Sequence, residues 1–163
     1  IVFEIPLPDL HWYKWPSSRS RIISNGCHWI DHFLYLNNYS KVIKKEVHKS
    51  KDDSILVYLE LQNGGCFSMV LTDVGSNFKG LRDYIEIRQN NTTIKIIDSM
   101  YYIAENNQGT LRTAKRKMLQ SHKNMYNDFS YRISNNLPGD DISSTEISGR
   151  IVIELDKKIF SET

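Results

Sequence analysis

Ile55-Leu-Val-Tyr-Leu-Glu-Leu-Gln62, Asn63-Gly64-Gly65 and Cys66-Phe-Ser-Met-Val-Leu-Thr72 follow one another in the middle of the chain. Ile55, Val57, Leu59 and Leu61 alternate with Leu56, Tyr58, Glu60 and Gln62, and a strand is the element whose side chains repeat every second residue. Glycine takes positive φ without strain, so Asn63-Gly64-Gly65 predicts a tight turn. Cys66 to Thr72 then runs back as the antiparallel partner. Apolar side chains fall on both faces of this hairpin, which predicts helices over one face and a partner surface over the other.

Outward from the hairpin, Val42 to His48 reads as a charged edge strand. A second hairpin runs along Tyr84-Ile85-Glu86-Ile87-Arg88, turns at Asn90-Asn91 and returns as Thr92 to Asp98, with Ile85 and Ile87 on one side beside Ile94 and Ile96. Met100 to Ala104 adds a short strand. Pro6 to Ser20 is a packed, aromatic-rich loop. Ile22 to Leu36 repeats its apolar residues three and four apart, the helical period, with Ser24 or Asn25 as cap and Asn37-Asn38 as terminator. Thr110 to Arg132 predicts a second helix, its face made of Leu111, Ala114, Met118, Met125 and Phe129 and continued by His122. Asn135 to Gly139 breaks the chain. Ser143 and Glu146 form a capping box for a last helix that carries Ile147, Ile151, Leu155 and Ile159 on one side. Strands followed by helices predict an α+β fold: an open, mainly antiparallel sheet with helices packed on one face, as a single domain over residues 1–163.

The composition is that of a globular chain. Of 163 residues, 40% are apolar and 25% charged, and 21 basic against 19 acidic residues leave a formal charge of +2. That balance gives no basic stripe for nucleic acid. No apolar run approaches the ~20 residues that span a bilayer. Two cysteines, Cys27 and Cys66, without CxxC spacing argue against a disulfide framework and for a reducing cytoplasm; both read as small buried apolar groups. The opening Ile1-Val-Phe-Glu-Ile5 is strand-like, which predicts that the chain is a piece of a longer protein.

Chemistry concentrates in Arg21-Ile-Ile-Ser24-Asn25-Gly26-Cys-His28-Trp-Ile-Asp31. A helix N-terminus gathers unpaired N–H groups and partial positive charge. A histidine there can face a polar ligand and exchange a proton near neutral pH. The bland alternative is a histidine that only caps or packs. Asp31, one turn on, reads as a structural partner or as support for the site. Trp12, Tyr13 and Trp15 offer indole and phenol faces on which a sugar ring can stack, or serve as core anchors. Arg19 and Arg21 can hold a phosphate or carboxylate, or lie on the surface. His28 and His32, four apart, share a helix face and would suit zinc only with a third ligand from afar, His11 or His48; no metal is expected.

The segment Arg21 to Asp31, followed by Phe33-Leu-Tyr-Leu36, resembles the C-terminal domain of the glucose–fructose oxidoreductase / inositol dehydrogenase (Gfo/Idh/MocA) family, with its Asp-x-Gly-x-His-x-Ile-Asp motif. The order of later strands and the closing Ser148-Gly-Arg-Ile-Val-Ile-Glu-Leu155 are similar as well. The resemblance implies a substrate-binding and oligomerisation domain of an NAD(P)-dependent oxidoreductase acting on a sugar or nucleotide-sugar carbinol. His28 would be the catalytic proton donor and acceptor. Ser24, Asn25, Asp31, Trp12, Tyr13, Trp15, Arg19 and Arg21 would bind substrate. An N-terminal Rossmann domain, absent from this chain, would hold NAD or NADP, and two copies would pair through the open sheet face. The family acid four residues before the histidine is here Ser24, which can hydrogen-bond a hydroxyl but carries no charge to strengthen the imidazole as a base. The sequence holds no Gly-x-Gly-x-x-Gly turn between strand and helix and no Glu-Lys-Pro. The other reading is a non-catalytic binding or assembly module on the same fold.

Overall fold

The computed structural model describes residues 1–4, 20–76, 78–115, 121–139 and 142–161, with the side chains of residues 121, 122, 160 and 161 left aside. The described residues fall into two compact units, Ile1–Arg82 with Ile142–Thr163, and Asp83–Asp141.

In the first unit the strand order is β2-β3-β4-β1. β3 (Ile55–Leu61) and β4 (Cys66–Thr72) form the expected hairpin, with Val57 opposite Met69 and Leu59 opposite Phe67. Gly64 sits at φ 87°, the conformation that makes glycine necessary in the turn. β2 (Val42–Lys49) lies antiparallel on the outer side of β3. β1 (Val2–Phe3) runs parallel to β4, pairing Val2 with Leu71, which makes the sheet mixed.

One face of this sheet is buried. Ile55, Val57, Leu59 and Leu61 of β3 join Met69 and Leu71 of β4 beneath α1 (Cys27–Leu36) and α3 (Ser143–Ser161). Ile30 and Leu34 come from α1; Ile151, Leu155 and Ile159 come from α3. Burying one such side chain is worth ~1.5–3 kcal/mol, so this layer supplies most of the cohesion of the unit. Ile147, the first residue of the expected α3 stripe, is instead 40% exposed. The opposite face carries Leu56, 44% exposed, and the edge residue His48, also exposed.

The second unit is a meander of four strands. β5 (Arg82–Gln89) and β6 (Thr92–Ile97) pair Ile85 with Ile96 and Ile87 with Ile94, as their alternation predicts. β7 (Tyr101–Asn106) and β8 (Gly109–Lys115) continue it. Here the structure departs from the helix expected over Thr110–Arg132. Thr110 to Lys115 pair with β7, and the helix α2 begins only at Ser121 and ends at Ser134. Gly109, at φ 134°, turns the chain back along a free strand edge, and ladder hydrogen bonds with β-branched Thr110 and Thr113 prevail over the helical spacing. The expected apolar stripe is therefore no core: Leu111 lies exposed on β8, and Met125 and Phe129 are over half exposed on α2. Met118 lies outside the described residues, as does the side chain of His122.

Candidate functional site

The helix that carries His28 starts earlier than its capping residues suggested. Ser20 closes the start: its Oγ accepts from Ile23 N at 3.3 Å, and its carbonyl accepts from Ser24 N at 3.0 Å. Ser24 and Asn25 are not caps. They lie inside a π turn, Ile22–Gly26, that runs straight into α1, with Cys27 N donating back to the carbonyl of Ile22. His28 thus stands beyond the first turn, and the free N–H groups of a helix end do not face it. A π turn inserts one residue into the α-helical period and recurs at functional sites.

The turn is held on three sides. Asn25 is buried, and its Nδ2 donates to Glu4 Oε1 at 3.1 Å. Arg21 spreads its guanidinium between two carboxylates, Glu4 Oε2 at 3.3 Å and Asp73 Oδ2 at 2.7 Å. Gly26 presses on the sheet: a Cβ there would meet Leu71 Cδ1 at 3.1 Å and Met69 Cε at 3.3 Å. Burial raises the Glu4 carboxyl above its ordinary value, while Asn25 and Arg21 pull it back. Neither Arg21 nor Asn25 faces outward as a bare ligand group; both are engaged by residues of the chain.

Past the turn, the faces of α1 separate. Ile30 and Leu34 are fully buried, and Phe33 stacks on Phe67 with ring centroids 4.9 Å apart. His28 and His32 are exposed on the other side, and Ser24 is half-buried. Asp31 turns toward α3: its Oδ1 accepts from Ser148 Oγ and from Tyr39 Oη, the latter at 3.1 Å. The imidazole of His28 is therefore an accessible proton donor and acceptor on a helix fastened through its neighbours. Among the described residues, no three His, Cys, Asp or Glu side chains cluster closely enough to hold a metal ion. Cys27 is half-buried and its thiol is pushed up by burial; Cys66, expected in the core, is exposed at the end of the β3–β4 turn.

Trp12, Tyr13, Trp15, Arg19 and His11 lie outside the described residues. Glu4, Asp73, Tyr39 and Ser148 were not singled out in the sequence. Each acts across a distance in the chain that local patterning does not register; Ser148 and Asp31 are 117 positions apart. A dinucleotide needs a strand, a Gly-rich turn and a helix N-terminus to cradle its pyrophosphate. The described residues offer no such cradle, so they do not fit NAD(P) by themselves. No described helix is long and apolar enough to cross a membrane.

Solved structures share this arrangement. A dehydrogenase from Chromobacterium violaceum matches with a TM-score of 0.72 at 11% identity, over 99% of this chain and 52% of that one. A dehydrogenase (MviM) from Clostridium difficile matches with a TM-score of 0.71 at 11% identity, over 96% and 52%. UDP-N-acetylglucosamine 3-dehydrogenase GnnA from Acidithiobacillus ferrooxidans matches with a TM-score of 0.71 at 12% identity, over 89% and 49%. The fold is a dehydrogenase-domain fold. These neighbours are of the Gfo/Idh/MocA type, the family that the segment around His28 resembles. At such identities the likeness is one of fold, and the chain spans about half the length of each neighbour. No family model and no curated protein sequence matches the chain.

Proposed function

We propose that this chain is the substrate-binding and oligomerisation domain of an NAD(P)-dependent oxidoreductase acting on a sugar or nucleotide-sugar carbinol. The observation that carries the reading is the exposed imidazole of His28 on a rigidly fastened helix, in a fold shared with a nucleotide-sugar dehydrogenase. His28 takes the hydroxyl proton as the carbinol is oxidised and returns it in reduction. Ser24, one turn before it, donates to or accepts from a substrate hydroxyl. Trp12, Tyr13, Trp15 and Arg19 supply the stacking platform and the anion contact. Arg21, Asn25 and Asp31 fix the shape of the site through the chain's own carboxylates and hydroxyls. A separate Rossmann domain holds NAD or NADP. The sheet face opposite α1 and α3, with Leu56 exposed, pairs two copies. We place the domain in the cytoplasm.

The test is the product of the whole gene, assayed with NAD and NADP against nucleotide sugars. His28→Asn should lower kcat by about 10²–10⁴ with KM nearly unchanged, the mark of a proton carrier used only in the transition state. An equal loss in substrate affinity, or a product without a Gly-rich dinucleotide turn, overturns the reading. For the pairing, sedimentation should show a dimer at micromolar concentration, and Leu56→Lys should dissociate it. The second reading, a non-catalytic assembly module, draws on Ser24, whose hydroxyl cannot supply the charge of the family's acid.

A further inference from the structure

The π turn has no sequence-local reason to exist: Ile22-Ile-Ser-Asn-Gly26 contains no proline, and an α-helical turn would satisfy the same backbone groups. What distinguishes it is what grips it. Glu4 follows β1 directly and is fixed to the sheet, its N donating to Thr72 O at 2.7 Å. From there its carboxylate takes Asn25 on one oxygen and Arg21 on the other, and Arg21 reaches on to Asp73. Asn25 lies within the turn and Arg21 directly before it. We propose that Glu4 is the positioning residue of the site helix, the group that locks Ile22–Gly26 as a π turn and so sets how Ser24 and His28 face the same ligand.

The geometry explains why this matters. Removing the extra residue of a π turn rotates everything before it by ~100° relative to everything after it, one α-helical step. Ser24 precedes the back-bonded Cys27 N–H and His28 follows it. Releasing the clamp therefore swings Ser24 away from His28 while α1, packed through Ile30 and Leu34, stays on the sheet. The role assigned to Glu4 rests on His28 being the proton carrier proposed above; the clamp itself does not, and is read without substrate or cofactor.

Charges around Glu4 come from every neighbouring element: Arg21 before the turn, Asp73 after β4, and Asp53 between β2 and β3, whose carboxyl also feels Arg21. Desolvation dominates and raises Glu4 above 4.5. As pH falls through that raised value, the neutral acid loses its grip on Arg21.

The experiment is a pH titration of the uniformly labelled 163-residue chain followed by amide and His28 ring resonances. In the wild type, the amides of residues 22–28 should move together with one midpoint above 4.5. Glu4→Gln should abolish that midpoint. Glu4→Ala should speed hydrogen exchange at Cys27 by about tenfold, the loss of one charge-assisted hydrogen bond, and shift Ser24 and His28 signals while those of β3 stay put. Should Glu4→Ala not fold, the wild type and Glu4→Gln carry the test. Residues 22–28 without a shared midpoint in the wild type, or with one that survives in Glu4→Gln, overturn the proposal. Loss of dehydrogenase activity for other reasons leaves these readings unchanged.

Discussion

The hydroxyl of Ser148 on α3 donates to the carboxylate of Asp31 on α1, and the same Oδ1 accepts from Tyr39 Oη at 3.1 Å. Two helices remote in sequence and the exit of the site helix are thereby joined at one oxygen. Ser148 is buried and also lies 3.1 Å from the Ser144 carbonyl, so its single proton is contested, and the charged acceptor is the stronger of the two.

Ser148→Ala should destabilise the chain by about 1–2 kcal/mol, in the range of a hydrogen bond to a charged group. Asp31→Asn should cost a similar amount. The double variant should cost clearly less than the two single effects added, since both remove the same contact. Thermal denaturation of the three variants checks this, and additive losses would show that the two residues act separately.

Gly26→Ala sets two effects against each other. Alanine in a helix interior gains ~1 kcal/mol over glycine. Its methyl would also stand 3.1 Å from Leu71 Cδ1 and 3.3 Å from Met69 Cε. Leu71 is fully buried and has little room to yield, and overpacking costs ~1–3 kcal/mol. The expected net result is a destabilisation of about 1 kcal/mol, read as a lower denaturation midpoint with an unchanged slope. A higher midpoint would mean that the core gives way around the methyl.

The hairpins were legible because alternation and turn chemistry agree: Ile85 with Ile96 and Ile87 with Ile94 follow from spacing and Asn90-Asn91 alone. The segment around His28 was legible as a resemblance, and the exposure of that histidine agrees with a site role. The start of the helix was not. Ser24 and Asn25 have the side chains of caps, but the true cap, Ser20, lies upstream, and nothing local announces a π turn. The strand β8 was missed because Leu111 and Ala114 fit a helical face as well as Thr110 and Thr113 fit a ladder. An unpaired edge on β7, unseen in one dimension, settles that contest.

Tyr58 should ionise only at about pH 12, against an ordinary 10.0, and mainly because its hydroxyl donates to Cys66 Sγ at 3.7 Å. Glu60 and Glu46 add negative charge nearby. The phenolate is the disfavoured form here, so removing its partner must bring the pKa down. Cys66→Ala should return the tyrosine part of the way toward 10.0, as an absorbance titration of tyrosinate would record. An unchanged titration would assign the shift to the acidic neighbours instead.

The β5–β6 turn offers a gain in stability. Asn90 and Asn91 lie at φ 49° and 60°, and Gln89 pairs with Thr92 across them, so the loop is a two-residue turn with both central residues left-handed. That turn favours Asn followed by Gly. Asn tolerates the conformation, but a side chain at the second position still carries Cβ strain that glycine lacks. Against this, glycine loses more freedom on folding, about 0.5–1 kcal/mol in ordinary backbone. The left-handed penalty of ~1–2 kcal/mol outweighs that loss, so Asn91→Gly should raise the denaturation midpoint slightly. Asn91→Val, β-branched and unable to bond its own backbone, should lower it by more than 1 kcal/mol, on the order of that penalty. If both variants lower the midpoint equally, Asn91 side-chain bonding rather than backbone conformation holds the turn.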